Sequence, residues 1–388
     1  DNMTPSARIQ AAILILDTII DGAPAEKALT GWARKSRFAG SGDRAAIRDH
    51  VYQALRCRRS YACLGRAETG RGLMIGALRA ADMDLSEVFN GQGYGPEPLS
   101  EEEIGQNQNP FGEGEKYDLS DWFILIFINA LGEDAKVTAQ ALRQRAPVML
   151  RVNLRATTRE KAIAALAEDG ITAETHDIAP TALIVTDGPR RIAGSQAYQQ
   201  GWVEVQDGSS QAAMETLEIA AKTTVLDYCA GGGGKTLALA ARTDAKWLAY
   251  DADADRMKDL PARAKRAGIA VDIIGDAPAR APYDLVLCDA PCSGSGAWRR
   301  APDAKWRLTP ERLADLTAMQ DQILTDAAKL VGKNGRLIYA TCSVLGVENQ
   351  DRIAHFLATS PGWQMDMQRN WPISEGGDGF FIAHLSRK

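Results

Sequence analysis

The chain has 388 residues, too many for one hydrophobic core, so two or three domains are expected. Hydrophobic residues make up 45% and charged residues 24%, an ordinary soluble composition, and a net charge of −5 argues against non-specific nucleic-acid binding by the whole chain. The longest apolar runs, AAILIL and WFILIFI, are far shorter than a bilayer span, so no membrane partner is expected. The start, DNMTPSARIQ, has no basic region followed by an apolar one, so no secretory signal is expected, and Asp1-Asn2 ahead of Met3 read as added residues. The six cysteines form no CxxC pair, and with four histidines there is no zinc-ligand spacing. The expectation is a reduced, cytoplasmic protein that binds no metal and acts as a monomer.

In chain order, RIQAAILILDTIID places Ile9, Ala12, Ile13, Leu16, Ile19 and Ile20 on one helical face. GDRAAIRDHVYQALRCRRSY repeats the pattern with Ile47, Val51 and Leu55, and RGLMIGALRAAD reads as a third helix. Residues 1–90 are therefore expected to form an all-helical domain. They carry thirteen Lys/Arg against ten Asp/Glu, with Arg56, Arg58 and Arg59 clustered, so an RNA-capturing face is expected there. Residues 91–118, rich in Gly, Pro, Glu and Asn, read as a linker. From Leu119 two helices lead into the strand VMLRVNL, the helix REKAIAALAEDG and the strand ALIVTD, a small α/β module over 119–205. From 206 to 388 short apolar strands alternate with helices: TTVLDY, WLAYDAD, VDIIGDA, YDLVLCDAP and GRLIYATCS. This rhythm predicts a Rossmann-like α/β domain, a parallel sheet covered on both faces with ligands at the strands' carboxyl ends. Asp227, Asp251, Asp276, Asp289 and Cys342 all fall at such ends.

LDYCAGGGGKT follows the first of these strands. Its glycines let backbone approach a ligand closely, and the next helix offers free N–H groups. A phosphate loop would require glycine at the position of Cys229, although Gly234-Lys235-Thr236 matches its end. A dinucleotide fingerprint fails at its last glycine. S-adenosylmethionine needs no phosphate cradle but does need a ribose-binding acid about one βαβ step later, where Asp251 stands. Asp276 could reach the adenine amino group. Two further strands end alike, in Pro-Cys-Ser at Cys292 and Thr-Cys-Ser at Cys342. A thiolate that adds to carbon 6 of a pyrimidine makes carbon 5 nucleophilic; a base must then remove the carbon-5 proton so that the sulfur can leave. Two thiols and Asp289 would supply those parts. Arg299, Arg300, Lys305 and Arg307, interleaved with Trp298 and Trp306, could grip phosphates and stack on bases.

Together LDYCAGGGGKT, AYDADADRM, GDA, LVLCDAPCSGSGAWRRAPDAKW, LIYATCSVLGVENQ and DGFFIA resemble the Sun/Fmu-type RNA cytosine-5 methyltransferases of the NOL1/NOP2/Sun family, with LRVN and WVEVQDGSSQ fitting upstream. The helical start resembles the NusB-like domain of the bacterial members that act on small-subunit ribosomal RNA. The resemblance implies a NusB-like RNA-binding domain, an RRM-like module and an S-adenosylmethionine-dependent catalytic domain acting on RNA. It implies that Cys342 is the nucleophile, that Cys292 assists release and that Asp289 contacts the base and the cofactor. Cofactor contacts are implied at Cys229, Ala230, Gly231, Gly232, Gly233, Gly234, Lys235, Asp251, Arg256, Asp276 and Asp289. The usual CAAPGGK reads CAGGGGK here, which predicts a looser unbound loop. The competing readings are a P-loop-like ATPase and a catalytically silent RNA-binding assembly factor.

Overall fold

The computed structural model describes residues 3–105 and 112–388. The chain divides into two compact units, residues 1–145 with 298–308, and residues 146–297 with 309–388. No helix among the described residues is long and apolar enough to cross a membrane.

The first unit is helical. Helices Pro5–Ile20, Ala25–Lys35, Ser41–Arg56, Arg58–Gly65 and Gly70–Ala80 surround a core that includes Ile9, Leu16, Ile47, Val51, Leu55, Leu73 and Ile75. The apolar stripe of the first helix is buried as expected, and Thr4 caps it by accepting from the Ala7 N–H. Helices Arg58–Gly65 and Gly70–Ala80 pack backbone against backbone: a Cβ on Gly72 would lie 2.1 Å from the Ala67 carbonyl oxygen, and one on Gly76 2.0 Å from that of Tyr61. Helices Asp121–Leu131 and Ala135–Leu142 pack within this unit.

The expected linker over 91–118 is only partly open to description, since residues 106–111 lie outside the described residues. Its described ends are anchored. Arg71 pairs with Glu103 at 2.8 Å, and fully buried Asp118 takes the N–H and hydroxyl of Ser60 and pairs with Arg143, each at 2.8 Å. Polar composition marked this stretch as loop-like, but fixed partners hold those ends in place.

The second unit holds two sheets. In the smaller, β1 (Val148–Val152), β2 (Thr172–Thr175), β3 (Ala182–Asp187) and β4 (Val203–Val205) pair antiparallel in the order β2-β3-β1-β4. Helix Arg159–Glu168 joins β1 to β2, and the short helix Gln196–Gln199 lies between β3 and β4. This is the split βαββαβ arrangement of ferredoxin-like folds, which the RRM-like expectation describes. Strands β2 and β4, of four and three residues, were too short to stand out in the sequence.

The larger sheet has seven strands: β5 (Thr224–Asp227), β6 (Lys246–Ala249), β7 (Val271–Ile273), β8 (Tyr283–Asp289), β9 (Val331–Thr341), β10 (Trp363–Trp371) and β11 (Phe380–Arg387). The order is β10-β11-β9-β8-β5-β6-β7, with β5 to β9 parallel and β11 antiparallel to both neighbours. Alternate residues of β8 enter opposite cores, Leu285 and Leu287 on one face, Val286 and Cys288 on the other. Burial on both faces explains the continuous apolar runs, and it makes Cys288 a packing residue. After β5 the chain goes outward to β6 and β7 and returns on the other side as β8. A crevice opens at that switch, beyond the carboxyl ends of the strands.

Candidate active site

The glycine loop leaves β5 at this switch point. Gly231 and Gly233 take positive φ, +50° and +77°, and helix Gly234–Ala240 follows. Asp251, just past β6, anchors the loop: its carboxylate accepts from the Gly231 N–H at 2.9 Å and the Asp253 N–H at 3.0 Å, and Arg256 approaches to 3.4 Å. Asp227 is buried, and one of its oxygens accepts from the Thr236 hydroxyl at 2.6 Å. The other oxygen has no hydrogen-bond partner among the described residues. Burial first, and the nearby Asp289 and Asp251 carboxylates, push Asp227 up to about 7. Cys229 lies among the same carboxylates, and burial and their charge raise its thiol.

A cluster of carboxylates with an unmatched buried oxygen fits a cationic ligand with amino and hydroxyl donors, which describes S-adenosylmethionine. It does not suit a phosphate. Thr236 is tied to Asp227, and Lys235 donates to Asp289 at 2.6 Å, so the two residues that matched the end of a phosphate loop are committed to acids. Asp276 stands beyond β7, is exposed, and accepts from the Ala279 N–H at 3.2 Å.

The loss of the usual Ala-Pro is compensated locally. Arg263 donates to the Gly232 carbonyl at 2.7 Å and pairs with Glu204 at 3.3 Å. A Cβ on Gly232 would meet the Arg263 guanidinium at 2.6 Å. The expected looseness is therefore offset by an arginine tether from a residue 31 positions further along the chain.

The two thiols meet. Asp289 ends β8 opposite Ala340 of β9, which places the Pro-Cys-Ser and Thr-Cys-Ser loops side by side. The sulfurs of Cys292 and Cys342 are 3.6 Å apart, and both residues are half-buried. The hydrogen bond to Cys342, then burial, pushes the Cys292 thiol well up. Burial works against the Lys235 ammonium, but the Asp289 charge and hydrogen bond, and Cys342 beyond, raise it overall. Lys235 also sits over the Phe380 ring, 5.4 Å from its centroid. One residue here was missed: Glu348, fully buried after β9, which contacts both cysteine loops. A lone glutamate after an apolar stretch gave no signal in the sequence.

The basic clusters are corrected by the structure. Trp298, Arg299 and Lys305 are buried within the helical unit. Trp298 packs on Phe123 with centroids 5.3 Å apart, Lys305 donates to the Arg56 carbonyl at 2.8 Å, and the Trp306 indole donates to the Leu55 carbonyl at 2.6 Å. Burial takes Trp298, Arg299 and Lys305 away from phosphates and base stacking; Trp306 is half-buried, and Arg300 and Arg307 remain exposed. The three N-terminal arginines are likewise engaged. Arg56 donates to the Arg299 carbonyl at 2.9 and 3.0 Å, Arg58 pairs with Glu68 at 3.1 Å, and Arg59 with Asp121 at 2.7 Å. Among the described residues no cluster of three or more His, Cys, Asp or Glu could hold a metal.

A Rossmann-like sheet with an acid-lined glycine loop at its switch point defines an S-adenosylmethionine-dependent methyltransferase, and the paired cysteine loops narrow the class further. The family described as 16S rRNA methyltransferase RsmB/F matches residues 214–386, and the RsmF/B-like ferredoxin-like domain matches 119–190. Ribosomal RNA small subunit methyltransferase B of Cronobacter sakazakii is 35% identical over 283 residues, covering 69% of this chain and 66% of the relative. Its counterpart in Klebsiella pneumoniae is 34% identical over 297 residues, covering 72% and 68%. The chain belongs to the RsmB/F family of 16S ribosomal RNA methyltransferases. Its matched part spans about two thirds of the length of those relatives. Among solved structures, that of PH0851 superposes with a TM-score of 0.78 at 25% identity, covering 100% of both chains. NSun6 from Pyrococcus horikoshii with SFG gives 0.62 at 17% identity over 69% of this chain and 98% of that one, a likeness of fold.

Proposed function

We propose that this chain transfers a methyl group from S-adenosylmethionine to carbon 5 of a cytidine in small-subunit ribosomal RNA, through a covalent bond between Cys342 and carbon 6. The observation that carries the reading is the 3.6 Å approach of two strand-end thiols beside the Lys235–Asp289 pair. The names of the relatives, ribosomal RNA small subunit methyltransferase B, support the substrate. Six free cysteines suit the reducing cytoplasm, and we take the protein to act as a monomer.

Bound on the glycine loop, S-adenosylmethionine supplies a methyl group on a positively charged sulfur. Asp251, Asp227 and the Gly231–Gly234 backbone would hold and orient it, with Cys229, Ala230, Arg256 and Asp276 as further contacts. Cys342 attacks carbon 6 as a thiolate, and the ring electrons move so that carbon 5 becomes nucleophilic. The Lys235–Asp289 pair would face the edge of the base, and the proton shared between them would pass to ring nitrogen 3 as it gains electron density, which steadies the adduct. Carbon 5 forms its bond to the methyl group as the methyl–sulfur bond breaks and the sulfonium becomes a neutral thioether. Carbon 5 then loses its proton to a base beside Cys342, the position Cys292 fills, and the sulfur–carbon 6 bond breaks to restore the ring. In this division of roles Cys342 attacks and Cys292, whose sulfur lies 3.6 Å away, serves release.

Neither competing reading accommodates this site. An ATPase has no use for the thiol pair, and a silent assembly factor does not need it held beside an ion-paired aspartate. The test is to map 5-methylcytosine across small-subunit ribosomal RNA with the gene deleted and restored. One cytidine should lose and regain its methyl group; an unchanged map would overturn the reading.

A further inference from the structure

The serine after each cysteine has no place in the chemistry described above, yet both serines reach the same atom. The Ser293 and Ser343 hydroxyls both donate to one oxygen of Glu348, Ser343 at 2.6 Å. The other oxygen accepts from the Ser293 N–H at 2.8 Å and the Gln320 side chain at 3.0 Å. Gln320 also donates to the Pro291 carbonyl at 2.8 Å, just before Cys292. The Glu348 backbone is fixed in turn, its carbonyl accepting from the Tyr339 hydroxyl at 2.6 Å. Glu348 is fully buried, and no Lys or Arg among the described residues pairs with it. Hydrogen bonds alone hold that side chain there; apolar groups of the same shape in place of the whole network would cost little stability, so a buried acid with four donors serves more than stability.

We propose that Glu348 is a positioning residue that sets the distance and direction of the two thiols by clamping both cysteine loops to one carboxylate. The inference rests on the covalent reading of Cys342 and Cys292. Each thiol lies one residue before a serine whose hydroxyl ends on Glu348, so a shift of either loop stretches a bond to the same group. Secondary ties run the same way: the Gly296 N–H donates to the Cys342 carbonyl at 2.9 Å, and the Val344 N–H to the Ser295 hydroxyl at 3.0 Å. The repeated Cys-Ser thus has two halves, a thiol facing the base and a hydroxyl facing the brace.

The test uses Glu348→Gln, which keeps the volume but cannot accept from all four donors, with Ser293→Ala and Ser343→Ala removing one arm each. Cofactor affinity is read by calorimetry, methyl transfer by single turnover on RNA, and the protein–RNA adduct on a denaturing gel. Glu348→Gln should bind S-adenosylmethionine within about twofold of wild type while methyl transfer falls roughly 10- to 100-fold. Ser343→Ala should slow adduct formation, and Ser293→Ala should slow release and accumulate adduct. If Glu348→Gln unfolds, the serine variants decide by that same split. Methyl transfer within threefold of wild type in Glu348→Gln would overturn the inference, as would serine variants that slow both steps alike. Methyl transfer by Cys342→Ala, run alongside, would instead sink the covalent reading itself.

Discussion

Residues 287–297 and 298–308 are consecutive in sequence, and both are crowded with side chains that suggest chemistry. They end up in different units. The first stretch delivers Asp289 and Cys292 to the crevice, where each meets a partner from another motif, Lys235 and Cys342. The second is woven into the helical unit, with Trp298 and Lys305 buried. The difference lies in what constrains each stretch. A parallel strand fixes where its carboxyl end points, so a polar residue there has few places to go. A run of Arg, Lys and Trp carries no such direction, and buried carbonyls satisfy it as readily as phosphates do.

The contrast can be broken most directly at Lys305. Lys305→Ala should destabilise the protein by about 2–4 kcal/mol, through the cavity left and the unmatched Arg56 carbonyl, with melting as the measure. Burial lowers Lys305 to about 8 from an ordinary 10.5. Below about pH 8 the ammonium is buried while charged. Between about pH 8 and 10.5 the unfolded chain holds the extra proton, so wild-type stability rises with pH relative to the variant. An unchanged melt with weaker, less salt-dependent RNA binding would return the segment to phosphate contact. A smaller effect sharpens the other side. Asp251→Ala should weaken S-adenosylmethionine binding by about 1.5–3 kcal/mol, roughly 10- to 100-fold, since the carboxylate also anchors the Gly231 N–H. Unchanged affinity in calorimetry would remove Asp251 from the cofactor site.

The same contrast explains how much was legible in advance. The parallel strands showed because burial on both faces demands continuous apolar runs, and Asp227, Asp251, Asp289, Cys292 and Cys342 followed from their ends. The helical start showed through its stripe of isoleucines and leucines. What stayed hidden depends on pairing across long separations: Arg263 on the Gly232 carbonyl, Lys305 on that of Arg56, and Glu348 between two serines. Short strands such as β2 and β4 leave too few residues for a period to appear. The packing of the helices before β1 also rests on partners, Phe123 with Trp298 among them, that sequence order does not reveal.

The central claim is that the two thiols share one base and divide its chemistry. The measurement is a denaturing gel of wild type, Cys292→Ala and Cys342→Ala after incubation with substrate RNA and S-adenosylmethionine, with melts of each to confirm folding. Cys292→Ala should give a shifted, denaturant-resistant protein–RNA band, because attack and methyl transfer proceed while release stalls. Cys342→Ala should give neither band nor methylated RNA. A band from Cys342→Ala and none from Cys292→Ala would reverse the roles, and no band from either, with methylation intact, would contradict the covalent account.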